Sequence, residues 1–209
     1  MKLKMKYAWA GLVFCALFAG IFVSQSSAEK ASDAPAQKGL LIADFNSGDK
    51  PNNVGGDFGA WNKDAKDDTQ GAFMSFVADD AMGDEAGHAV RLDYGVDSPN
   101  PAYNGFWMKL NNADFTAYDT LNFYVKGDPK AGFTKRVKLE LKDDSGLPRG
   151  SFVMTGVNEK WQKISVPFKE FGNKTNWKQM SEFVVVFDDA NSRPKTGSIY
   201  LDQVSVSKG

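Results

Sequence analysis

Beyond its first 28 residues the chain contains no cysteine, and over its whole length it has one histidine, His88. Disulfide staples and Cys/His chemistry are therefore excluded, zinc sites of the common kinds lack ligands, and a Ser-His-Asp triad would have to use His88. That residue sits in Gly87-His88-Ala89 at the entrance to a strand and reads as a strand-edge residue. No Gly-x-Ser-x-Gly elbow or Walker-type loop is present. Basic residues form no isolated cluster, which argues against a nucleic-acid partner. The acidic doublets Asp67-Asp68, Asp79-Asp80 and Asp143-Asp144 fall in turn sequences and read as solvated loop tips, although glycosidase carboxylates are paired in space rather than in sequence. Taken together, these absences point away from an enzyme.

The first 28 residues read as a secretory signal. Lys2, Lys4 and Lys6 form a basic start, Trp9 to Val23 an apolar run short for a bilayer, and Ser26-Ser27-Ala28 a small-residue cleavage site. Cys15 lies inside the apolar run without a lipoprotein context. Removing the three lysines leaves 22 basic side chains against 26 acidic ones, a net charge near −4. The expected destination is periplasmic or extracellular, with no stable membrane span in the mature chain. Glu29–Lys38 (EKASDAPAQK) reads as a flexible leader. Residues 39–207 show no internal repeat and no dividing linker, so they are expected to form one domain. An exported domain without disulfides depends on its core, aided by any metal it holds.

Also missing is sustained helical periodicity, along with any crossover helix of a dozen residues, which excludes a βαβ arrangement. What is present is alternation. Strands are expected at Leu40–Phe45, Ala72–Ala78, Ala89–Tyr94, Phe106–Leu110, Thr120–Lys126, Lys135–Lys142, Ser151–Thr155, Trp161–Pro167, Phe183–Phe187 and Ser198–Val206. Pro51–Gly59 reads as loop, Phe168–Met180 as a short helix weakened by Gly172 and Asn173, and Phe183–Phe187 as a central strand buried on both faces. Ten short strands with regular turns define an all-β sandwich or barrel.

Within Arg91–Gly127, Leu92, Phe123 and Val125 are expected to face inward, and Arg91, Asp93, Trp107 and Tyr124 outward. If these four share a face with Arg136, Lys138 and Glu140, the result is a polar surface carrying aromatic platforms, suited to sugar rings. Asp44, at the end of the first strand, is followed by Asn46, Ser47 and Asp49, and Asp202 lies in the last strand. Since first and last strands often neighbour one another in sandwiches, these oxygens are candidate ligands of a structural Ca²⁺.

The segments LIADFNSGD, GGDFGAW, GHAVRLDY, AYNGFWMKL, YDTLNFYVKGD, FTKRVKLELKD, WQKISVPFKEF, EFVVVFDD and GSIYLDQVSV follow one another from Leu40 to Val206. In that order they resemble galactose-binding-like β-sandwiches, particularly family 11 carbohydrate-binding modules and the complex I intermediate-associated protein 30 domain. The resemblance implies a non-catalytic jelly-roll of two antiparallel sheets binding a β-glucan-like polysaccharide on a concave face. It also implies calcium where first and last strands meet. Asp44, Asn46, Asp49 and Asp202 match the metal region; Arg91, Asp93, Tyr124, Arg136, Lys138 and Asp188 match the concave face. Such modules usually accompany a catalytic domain, and the complex I relatives act through proteins. A second expectation is therefore a protein-interaction or assembly component of the envelope or an extracellular complex, with Gly95–Asn104 as its contact loop.

Overall fold

The computed structural model describes residues 39–78, 82, 87–172 and 176–209. The expected signal, the leader and the Asp79-Asp80 doublet lie outside them. The alternating segments become eleven strands: β1 (Leu40–Ala43), β2 (Phe58–Asn62), β3 (Gly71–Val77), β4 (Ala89–Gly95), β5 (Tyr103–Ala113), β6 (Thr120–Gly127), β7 (Arg136–Asp143), β8 (Pro148–Thr155), β9 (Gln162–Pro167), β10 (Met180–Asp188) and β11 (Thr196–Ser207). They pair antiparallel into two sheets. Sheet A runs β3-β4-β11-β6-β9, with β1 also on β11, and sheet B runs β2-β5-β10-β7-β8. This is the all-β jelly-roll sandwich that the alternation and the resemblance implied.

Period-two alternation places the core between the sheets. Leu92, Phe123 and Val125 on sheet A are buried, as are Phe106, Met108, Val137, Leu139 and Phe183 on sheet B. Phe123 meets Phe183 at 6.1 Å between ring centroids, and Tyr94 stacks on Phe187 at 4.2 Å, so the inner faces interdigitate. Each such ring contributes about 1.5–3 kcal/mol through burial. β10, in the middle of sheet B, is covered on both faces: even its outward Val184 and Val186 are only 3% and 4% exposed.

Two elements differ from the sequence reading. β2 begins at the end of the expected loop Pro51–Gly59 and runs on through Trp61, where no strand was expected, because its pairing is non-local, Gly59 opposite Trp107 and Trp61 opposite Gly105. Of the expected helix from Phe168 to Met180, the described residues form one 3₁₀ turn, Phe168–Phe171, residues 173–175 lying outside them. Gly172 ends it at φ 91°, and Met180 already belongs to β10, since burying Phe168 and Phe171 needs only that single turn.

Candidate functional site

The outer face of sheet B carries a groove of about 380 Å³ lined by Trp61, Trp107, Lys109, Glu140, Lys142, Glu182 and Val184. Register explains its shape. One row across the sheet reads Trp61, Gly105, Val186, Lys138, and the next reads Gly59, Trp107, Val184, Glu140. Each indole thus faces a glycine on the adjoining strand. A Cβ at Gly59 would lie 3.5 Å from the Trp107 ring, and one at Gly105 would lie 3.2 Å from Trp61 Nε1. The Trp107 ring thus lies in contact range over Gly59, and Trp61 packs more tightly over Gly105. Trp61 Nε1 is buried without a hydrogen-bond partner among the described residues, and the ring packs against Tyr103 at 5.9 Å. Lys50 and Lys109 sit over Trp107, 5.9 and 5.5 Å from its centroid.

The opposite wall is charged. Lys109 and Lys142 both donate to Glu182, at 2.5 and 2.6 Å, and Lys138 pairs with Glu140 at 3.2 Å. Burial opposes ionisation of Glu182, but the hydrogen bonds and charges of Lys109 and Lys142 outweigh it and hold the carboxyl below its ordinary range. A depressed folded-state value means stability that is present above the ordinary glutamate range and lost as pH falls through the depressed value. Glu182→Gln should therefore lower stability at neutral pH by about 1–2 kcal/mol, solvent at the half-exposed Lys109 screening part of the pair. The variant should also lose less stability on acidification than the parent. Urea midpoints at pH 7 and pH 3 for both proteins check this.

The residues expected on one face are divided between the two sheets. Trp107, Arg136, Lys138 and Asp188 lie on sheet B; Arg91 and Asp93, on β4, and Tyr124, on β6, lie on the outer face of sheet A. This corrects the single-face expectation: alternation fixes which residues point outward but not which sheet a strand joins. Asp188 caps its own turn, accepting from the Ala190 and Asn191 amides at 3.0 and 2.7 Å, and Arg136 reaches Asn191 at 3.4 Å. Arg91 is engaged on all sides, donating to Asp93 at 2.9 Å, Asp128 at 2.7 Å, Tyr200 at 3.0 Å and Ser198 at 2.9 Å. Sequence reasoning passed over Trp61, Lys142 and Glu182 as site residues. The signal for Trp61 was available in its two-residue offset from Gly59, but only alongside the β2–β5 register.

The expected metal ligands come together in part. β11 pairs with β4 over its first half and with β1 over its last residues, and Asp202 lies where the partner changes. Its carboxylate is fully buried and accepts from the Met82 and Gln203 amides at 2.8 and 2.7 Å. Burial, with the Asp44 charge adding to it, pushes its pKa up to about 6. Asp44 in turn accepts from the Asn46 amide at 3.1 Å and from the Asn53 side chain at 3.0 Å. Asn46 packs its side-chain oxygen against Gly87, and its carbonyl lies 3.1 Å from His88 Nδ1, so His88 latches this turn to the entrance of β4. Asp49 instead accepts from the Lys50 amide at 2.7 Å within its own turn. Among the described residues no three His, Cys, Asp or Glu side chains gather around one point. The chemistry nevertheless suits a hard cation: a buried carboxylate under the field of a second one matches calcium's preference for oxygen.

Gly95–Asn104, expected as a protein contact, is braced by the turn around Asp67, while Asp97, Pro99, Asn100, Pro101 and Tyr103 stay exposed. Asn100 donates to Asp67 at 3.2 Å, and Ser98 lies 2.6 Å from the Thr69 hydroxyl. Hydrogen bonds from Thr69, Gln70 and Asn100 hold the Asp67 carboxyl well below its usual range.

A jelly-roll with aromatic rings laid along one sheet face is the architecture of a carbohydrate-binding module. The model of the family described as carbohydrate binding domain 30 matches residues 51–208, and the chain belongs to that family, which is one of binding rather than catalytic domains. No curated protein sequence matches the chain. Among solved structures, it is similar to the family 11 carbohydrate-binding module of the cellulosomal cellulase Lic26A-Cel5E of Clostridium thermocellum. That match has TM-score 0.58 at 15% identity, over 83% of this chain and 96% of the module. A family 11 module from Clostridium thermocellum in complex with a β-1,3-1,4-mixed-linked tetrasaccharide matches with TM-score 0.57 at 14% identity, over 82% and 96%. An exo-β-agarase matches with TM-score 0.57 at 11% identity, over 81% of this chain and 25% of the enzyme. At these identities the likenesses establish the fold. They lend nothing to the expected resemblance to the complex I intermediate-associated protein 30 domain. Among the described residues no helix is long and apolar enough to cross a membrane.

Proposed function

We propose that this protein is an exported, non-catalytic module that binds a β-glucan-like polysaccharide in the groove on sheet B. The observation that carries the reading is the pair of indoles, Trp61 and Trp107, each laid over a glycine of the neighbouring strand beside the Lys109–Glu182–Lys142 and Lys138–Glu140 pairs. Aromatic faces accept the C–H face of a pyranose, and fixed ammonium and carboxylate groups pair with its hydroxyls. The glucan class is suggested by the mixed-linkage tetrasaccharide bound to a module of the same fold. Titration calorimetry with soluble mixed-linkage β-glucan tests the placement. The parent should bind, and Arg91→Ala and Tyr124→Ala should bind within about twofold of it, because both residues lie on the other sheet. Loss of binding in either variant would move the site to sheet A. Export rests on the basic, apolar and small-residue pattern of the first 28 residues.

The reading includes a structural calcium held by oxygens of Asp44, Asn46, Asp49 and Asp202. The cation would compensate the buried Asp202 carboxylate and tie β1 to β11 beside the β4 entrance. A ligand bound only by the folded state at a hundred times its Kd adds about 2.7 kcal/mol. Chelation should therefore lower Tm by several degrees, and Asp202→Ala should abolish the response to added calcium. An identical Tm in verified metal-free and calcium-loaded protein would remove the metal from the account.

A further inference from the structure

A second cleft lies at one end of the sandwich, away from the sheet B groove. It has a volume of about 570 Å³ and is lined by residues from the β5–β6 connection, the end of β9 and the segment before β10. Three rings form a continuous stack beside it: Phe115 on Phe168 at 5.8 Å and 18°, and Phe168 on Trp177 at 4.2 Å and 10°. Phe115 and Phe168 are buried, whereas Trp177 ends the stack half-buried at the cleft wall. Backbone hydrogen bonds lock the three segments together, Phe115 N–H to the Trp177 carbonyl and Phe168 N–H to the Asp119 carbonyl, both at 2.7 Å. The wall is thus built in advance of any ligand.

Its polar groups distinguish this cleft from the one on sheet A. There, Arg91 is already committed to Asp93, Asp128, Tyr200 and Ser198, so the guanidinium of that cleft is paired within the protein. At the end cleft, the Tyr118 hydroxyl and the Lys169 ammonium make no hydrogen bond or ion pair among the described residues. Asp119 uses only Oδ1, which accepts from Thr120 and Gly209 at 2.8 Å. A free hydroxyl, an ammonium and a carboxylate oxygen around an aromatic wall match a ligand that is apolar on one face and hydroxylated at its edge. A purely apolar segment would leave all three without partners.

We propose that this end cleft is a second carbohydrate site, taking a sugar unit against the Trp177 wall with its hydroxyls on Tyr118, Asp119 and Lys169. It stands independently of the sheet B reading. The test follows the tryptophan indole N–H signals by NMR during titration with mixed-linkage β-glucan tetrasaccharide and then a panel of other neutral oligosaccharides. Trp161, on the sheet A side, serves as the reference ring. The expected result is a saturable shift of the Trp177 signal that persists in the Trp61→Ala/Trp107→Ala variant. Tyr118→Phe and Lys169→Ala, which leave the ring stack intact, should each weaken it roughly fivefold, the size expected for one lost hydrogen bond. A Trp177 signal that stays still with every sugar, or that responds only to a peptide, overturns the proposal. Movement of Trp61 and Trp107 alone does the same while leaving the sheet B site intact, and movement of Trp177 alone would uphold this site and remove that one.

Discussion

Replacing both Trp61 and Trp107 with alanine should weaken binding of soluble β-glucan by at least a hundredfold while leaving the protein folded. Both rings lie on the outer face of sheet B, not between the sheets, and Trp107 is absent from the buried core. Their removal therefore takes away a binding surface without opening a core cavity. Aromatic anchors at the centre of a binding site typically cost about 2 kcal/mol or more on truncation, and each 1.4 kcal/mol is tenfold in affinity. Two such losses exceed a hundredfold even when they add imperfectly. Calorimetric titration of the double variant checks the affinity, and its melting curve checks the fold. Binding within tenfold of the parent would show that the indoles are not the platform.

The second large effect belongs to a residue with no side chain. Gly105→Ala should destabilise the protein by on the order of 3 kcal/mol and impair binding along with it. A Cβ there would overlap the Val185 carbonyl of β10 and press on Trp61. Val185 belongs to the central strand of sheet B, fixed between β5 and β7, so the backbone has little room to yield. Overpacking against a flexible side chain costs about 1–3 kcal/mol, and a rigid carbonyl puts the cost at or above the upper end. Gly146→Ala is the informative comparison. Its Cβ would meet nothing within 4 Å, so only the positive φ of 70° opposes it, at about 1 kcal/mol. Equal urea midpoints for the two variants would refute the steric account.

Gly105 also marks the limit of what the sequence made legible. The inward set in Arg91–Gly127 could be read directly, because Leu92, Phe123 and Val125 alternate with polar neighbours and the sheets obey that alternation. Phe183–Phe187 was readable as a doubly covered strand from its unbroken apolar run. Alternation carries no information about which strands become neighbours. Arg91 and Trp107 both point outward, yet they do so on opposite sides of the molecule, since β4 joins β11 while β5 joins β2 and β10. The groove arises from pairing between residues about 45 positions apart, Trp61 with Gly105 and Gly59 with Trp107, and Gly59 read locally as the end of a loop. The meeting of the first strand with the last was easier to read, because sandwiches commonly pair them and β1 does lie on β11.

Affinity electrophoresis of the unmodified protein through gels containing soluble polysaccharides is the most direct test of the central claim. Retardation is expected in at least one β-glucan gel, growing with polysaccharide concentration, with no change in a gel lacking glycan. Unchanged migration through β-glucans and through a broad panel of other glycans would contradict the assignment of the sheet B face as a carbohydrate-binding surface.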